Sequence, residues 1–218
     1  MNEVIALDSI TDGTQANRGQ VVVCGSHGGR FTAAIASRLG LRAVLFFDAG
    51  FGLNRAGVAG VDALGDIGMA AAAMDVGSAP IGNATKALEC GRLSMANPPA
   101  IALGLMPGML VAEAVERLGK ADLTTKTMPA IAETSGLVTI SDEVSVHMLD
   151  SASMVAPEHA GEIVVTGSHG GLVGGNPARA LKADARFAAF NDCRLAQCAD
   201  VVSFCGALSV PDVGGETY

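Results

Sequence analysis

Two stretches of this sequence set a histidine in the same glycine frame. Residues 25–29 and 167–171 both read Gly-Ser-His-Gly-Gly, and each closes an apolar run. Glycine carries no Cβ, so a ligand or another backbone can approach closely. An imidazole in that setting can act as general acid or base, or ligate a divalent metal ion. His27 and His169 are therefore the leading catalytic candidates. Gly28, Gly29, Gly170 and Gly171 could turn backbone N–H groups toward a substrate anion or oxyanion, more so if a helix starts just after them. Asp48 and Asp192 close later apolar runs and could orient the imidazoles or bind the cation. A carboxylate there could equally cap the next turn. Ser26 and Ser168 precede the histidines, and neighbours in an extended segment point apart, so neither pairs with its own histidine. They stand as substrate-binding candidates together with Ser9, which could meet His27 and Asp48 as a triad across three strands.

The flanks of the pentapeptide repeat as well. Residues 3–29 align with 145–171 at a constant offset of 142, without a gap. Val4, Leu7, Asp8, Ser9, Gly19, Val22 and Val23 recur along with the whole pentapeptide. After a two-residue insertion, 42–50 faces 186–194, which sets Asp48 against Asp192. This pattern implies an internal duplication. The first unit spans 1–142, and a partial second unit, 143–218, packs on it. The similarity stops after Asp192, so the second copy is truncated or diverged. Asp-Ala-Gly at 48–50 becomes Asp-Cys-Arg at 192–194, the change that one inserted T makes in GAT-GCC-GGC. Residues 193–218 are thus a candidate out-of-frame tail, and translating the gene in its other frames tests this.

The elements that must position these residues alternate in type. Residues 3–8, 20–25 and 43–48 are short apolar runs, the second of them rich in β-branched side chains, which predicts strands. Residues 31–39 and 55–66 read as helices, and 107–118 as an amphipathic helix. MAAAAMD at 69–75 fits either a helix or a buried strand. Residues 120–142 look like a Thr- and Ser-rich connector. In 171–182, Asn176-Pro177 has the form of a cap followed by a first helical residue. Near-continuous apolar strands separated by helices predict a layered α/β, Rossmann-like fold whose parallel sheet is covered on both faces. Ligands of such sheets sit beyond the carboxyl ends of the strands. Asp8-Ser9, Ser26-His27 and Asp48 fall at those ends, as do Asp150-Ser151, Ser168-His169 and Asp192 in the second copy. His147 and His159 belong to no motif and are expected on the surface or on strand faces.

Composition narrows the function. The net charge is −8 with scattered basic residues, which argues against nucleic acid or an acidic membrane as partner. The N-terminus lacks a basic start before an apolar run, and Pro107 breaks the longest apolar stretch, so neither a signal peptide nor a membrane span is expected. Five cysteines without a C-x-x-C suit neither a disulfide framework nor a zinc site and point to a reduced, cytoplasmic setting. No P-loop or G-x-G-x-x-G fingerprint occurs.

Within 163–194, a strand ending Ser-His-Gly is followed by a later strand ending Asp-Cys. That layout resembles caspase-like peptidases. The resemblance implies Cys193 as nucleophile and His169 as its base. The spacing between the two residues is short for that family, and the first copy has Ala49 at the cysteine position. The residues themselves favour a hydrolase of a small polar molecule. The alternative is a non-catalytic domain that binds a small metabolite or anion. Apolar faces left bare by a truncated second copy predict a homodimer.

Overall fold

The computed structural model describes residues 4–142, 144–176 and 179–191. Asp192, Cys193 and the rest of the tail lie outside them, so the readings placed on those residues are not addressed by the structure.

Strands without polar alternation need cover on both faces, and the first sheet receives it. Its order is β1 (Val4–Leu7), β2 (Val21–His27), β3 (Ala43–Phe47), β4 (Ala70–Met74) and β5 (Leu93–Ala96). The first four strands run parallel, and β5 is antiparallel to β4. Alternate residues feed opposite layers. Val21, Val23, Leu45, Phe47, Ala72 and Met74 pack under α3 (Ala84–Cys90) and α5 (Val111–Leu118). Val22, Cys24, Val44, Phe46, Ala71 and Ala73 pack under α1 (Arg30–Leu39) and α2 (Ala59–Asp66). The alanine run at 70–73 is therefore a buried strand. Its small side chains let helices close in from both sides, and that packing overrides the helix propensity of alanine.

The expected helix at 55–66 starts late. Ala49, Phe51, Asn54 and Arg55 all have positive φ, so the chain cannot enter a right-handed helix before that turn ends. The helix expected from 107 likewise begins only at Val111. The sequence reading missed α3 and α4 (Pro98–Ala102), although each starts from an asparagine cap. Asn97 is buried and its side chain makes four hydrogen bonds. Its Oδ1 accepts from the amides of Ala71 (3.1 Å) and Ala100 (3.2 Å), and its Nδ2 donates to the carbonyls of Val61 (3.1 Å) and Met69 (2.9 Å). Asn97→Ala is expected to cost about 2–4 kcal/mol, since it leaves these buried groups unmatched. Urea denaturation followed by circular dichroism reads that loss.

A second sheet has the order β6 (Ser135–Ser141), β7 (Val144–Leu149), β8 (Ile163–His169) and β9 (Phe187–Asn191). Strand β6 pairs antiparallel to β7, and β7, β8 and β9 are parallel. The end of the expected connector is thus a strand. Its pairing to β7 outweighs its Ser and Thr content. The parallel registers repeat at the sequence offset. Val4 faces Val21 and Val146 faces Ile163; Val21 faces Ala43 and Ile163 faces Phe187. The register slips between Val23 and His27, and again between Val165 and His169.

Cover does not repeat. One side of the second sheet holds a small cluster of Leu149, Val155 and Val164. The other side leaves Val138, Met148, Val165 and Phe187 exposed. The register equivalents of Val165 and Phe187 in the first sheet, Val23 and Ala43, are fully buried in the layer of α3 and α5. Val173–Gly175 is one 3-10 turn that Asn176 closes. The helix start expected just after Asn176 falls on residues 177 and 178, which lie outside the described residues. The architecture is a layered α/β arrangement of two mostly parallel sheets. Among the described residues no helix is long and apolar enough to cross a membrane.

Candidate functional site

The two Gly-Ser-His-Gly-Gly loops open into one cleft of about 580 Å³ at the carboxyl ends of β1, β2, β7 and β8. Across it the rings of His27 and His169 meet edge to face, with centroids 6.2 Å apart and planes at 86°.

The hydrogen bonds around each loop match at the offset of 142. The Ser26 hydroxyl accepts from the Ile10 amide (3.0 Å), and the Ser168 hydroxyl accepts from the Ala152 amide (2.9 Å). Ser9 caps its turn through the Thr11 amide (3.3 Å), and Ser151 does the same through Ser153 (3.1 Å). All four serines line the cleft and each ties down backbone; the Ser151 hydroxyl is also shared with those of Ser153 (2.8 Å) and Ser168 (3.5 Å).

Each histidine is held by the glycine two residues on. The Gly29 amide donates to Nδ1 of His27 (3.1 Å), and the Gly171 amide donates to Nδ1 of His169 (3.1 Å). A backbone amide can only donate, so both Nδ1 atoms are unprotonated and the neutral rings carry their proton on Nε2. Neither Nε2 has a hydrogen-bond partner among the described residues, and no partnerless side-chain nitrogen or oxygen there is buried. The Nε2–H groups are therefore open, and the surface that both rings line is the cleft. Removal from water lowers the His27 pKa below the ordinary 6.5. Burial lowers that of His169 to about 3, with the His27 charge as a smaller cause. Both rings are neutral at neutral pH.

This geometry explains the glycines differently from the expectation. A side chain at 29 would place its Cβ 2.7 Å from Cε1 of His27, and one at 171 would sit 3.0 Å from Nδ1 of His169. Gly28 donates to the Phe47 carbonyl (2.9 Å) and Gly29 to its histidine, so neither amide faces a substrate anion. Gly28, Gly29 and Gly170 do not line the cleft; Gly171 does.

Asp48 is not brought to the cleft. It is buried, and its Oδ1 accepts from the amides of Gly50 (2.9 Å) and Val76 (3.3 Å), which secures the turn after β3. No triad forms from Ser9, His27 and Asp48. Among the described residues no hydroxyl or carboxylate is hydrogen-bonded to the ring of either cleft histidine; the Thr32 hydroxyl donates to the His27 carbonyl instead (2.7 Å). Nor does any group of three or more His, Cys, Asp or Glu side chains stand where it could hold a metal ion. An Nδ1 that accepts from an amide also leaves the proton on the nitrogen that would ligate, so the site does not fit a divalent ion. Burial pushes the Cys24 thiol up to about 12, which makes it a core residue rather than a nucleophile.

Among the described residues four carboxylates line the cleft: Asp8, Asp12, Glu133 and Asp150. Asp8 holds the Ala84 amide (2.9 Å), and Asp150 holds the Thr134 amide (2.7 Å) and hydroxyl (2.8 Å). The two cations that line it are engaged. Arg179 pairs with Asp12 (2.9 Å), and Lys182 donates to the Ser153 carbonyl. Glu133 lies in the expected connector and Arg179 and Lys182 follow Asn176-Pro177, and no local pattern marked their side chains for the cleft. The other histidine pair is also structural. His159 is buried rather than on the surface, its ring 4.8 Å from that of half-buried His147. Its Nδ1 accepts from the Ala156 amide (3.0 Å), the bond that Asn17 Oδ1 makes to Thr14 (2.8 Å) one offset earlier.

No protein-family model matches the chain, and neither does any curated protein or solved structure.

Proposed function

We propose that the cleft between the two histidine loops binds one small polar molecule, which His27 and His169 meet as neutral Nε2–H donors. The observation that carries this reading is the pairing itself. Two rings from distant parts of the chain touch in one cleft, each with Nδ1 engaged and Nε2–H open. The hydroxyls of Ser9, Ser26, Ser151 and Ser168 supply further donors and acceptors around them. The shared offset of sequence, register and hydrogen bonds supports an ancestral duplication of a Rossmann-like unit as the origin of this two-sided site.

Hydrolysis is the second reading, and the neutral donors beside carboxylates favour it. A neutral imidazole can polarise a carbonyl and stabilise the oxyanion that water attack creates. In that scheme the base is a cleft carboxylate, Asp8, Asp150 or Glu133, rather than a histidine. A calorimetric panel of polyols, amines, amino acids and carboxylic acids tests binding; ester, amide and phosphoester panels test turnover. A true ligand should lose about tenfold in affinity in His27→Ala and again in His169→Ala, the worth of one hydrogen bond each. Affinity unchanged in both variants sinks the binding reading. A ligand that depends on both histidines but is never turned over removes the hydrolytic one.

A further inference from the structure

The outer strand of the second sheet is built unlike an ordinary sheet edge. Strand β6 lies at the end of the order and pairs with β7 on one side. All seven of its residues are exposed, with Leu137 at 60%, Val138 at 43% and Ile140 at 69%. Among the described residues no strand pairs with its outer edge. Natural edges are kept short, charged or broken by proline, because a free row of N–H and C=O groups recruits another strand. The edges of the first sheet follow that rule, since β1 and β5 have four residues each. Residues 135–141 contain neither a charge nor a proline, and their one protective device is a bulge at Ile140, near the end of the strand.

We infer that β6 pairs antiparallel with β6 of a second copy of this chain. The strand is self-complementary about Val138. With a two-fold axis there, Val138 faces Val138 and Leu137 faces Thr139 in the regular part of the strand, before the bulge at Ile140. Charge agrees with the same occupant. A chain of net charge −8 repels its own copy over most of its surface, and β6 is a stretch where no like charges meet. The pairing joins two second sheets into one continuous sheet. Strand β6 does not line the cleft, so dimerisation and ligand binding are separable.

Sedimentation velocity on the full chain tests this with a charge pair at the axis. The wild type is expected to be a dimer. Val138→Lys and Val138→Glu each set like charges face to face and should weaken the dimer by on the order of 100-fold or more. Mixing the two variants should restore it, because lysine then faces glutamate. A monomeric wild type, dimers that persist in both variants, or a mixture that stays monomeric each overturn the inference. Hydrogen exchange needs no substitution: in the wild type the amides of 136–140 should slow as protein concentration rises. Exchange independent of concentration also overturns it.

Discussion

A protein carrying Gly25→Val is expected to lose at least about 3 kcal/mol of stability and to accumulate poorly as folded material. Three backbone segments cross at this glycine. A Cβ there would run into the Asp8 carbonyl oxygen, and it would lie 2.8 Å from the Gly82 carbonyl carbon and 3.0 Å from that of Asp8. None of these is the movable end of a side chain. The Gly82 amide also donates to the Gly25 carbonyl (2.9 Å), which pins the loop against the strand end. The loss falls on β2, in the middle of the larger core. Gly167→Val is the matched comparison. Its Cβ would meet the Asp150 carbonyl oxygen at 2.6 Å, but Gly167 is exposed, and its sheet has a small core. That variant should loosen the second sheet and leave the main unfolding transition in place. Urea titrations of both proteins decide the point, and a Gly25→Val loss below about 1 kcal/mol would refute the crossing argument.

The second large effect is a loss of stability in acid that is traceable to one imidazole. In the unfolded chain a histidine takes a proton near pH 6.5, whereas folded His169 resists until about 3. Between those values the unfolded state holds more protons, so stability falls as pH drops. The contribution is fully present above 6.5. By pH 4 it has fallen by about 3 kcal/mol, and His27, lowered in the same direction, adds to it. His169→Asn should flatten this part of the profile. The replacement is one the fold already contains, since Asn17 and His159 hold equivalent turn amides through Oδ1 and Nδ1. The cleft carboxylates remain in both proteins and cancel in the difference. If wild type and variant lose stability in parallel from pH 7 to 4, the neutral imidazole is not the cause.

The centre of the site was legible in the sequence and its walls were not. A five-residue motif that returns with its flanks at one offset carries strand, turn and histidine together, and both copies do reach one cleft. Asp48 misled because a carboxylate after a buried strand looks alike whether it serves chemistry or caps a turn, and only its bonds to Gly50 and Val76 separate the two. The amides of Gly28 and Gly29 misled similarly, since sequence shows a donor but not its acceptor. Strand β4 could not be told from a helix by its alanines, because the helices that bury it decide the matter. Strand β6 was hidden by composition, and its partner β7 supplies the reason it is extended. Arg179 reaches Asp12 across 167 residues of chain, a contact no local pattern encodes.

The unequal cover of the two sheets gives the molecule a direction in time. The layers around the first sheet are complete once Met128 has been made, and synthesis delivers them before β8 and β9 exist. That half can settle on the ribosome by itself, whereas the later strands bring too little buried apolar surface to fold without a template. His27 thus waits on a finished scaffold, and His169 arrives with the last strands to be added. The cleft is in this sense a product of assembly order, and a chain stalled or clipped between the sheets would keep its fold while lacking one wall of its site.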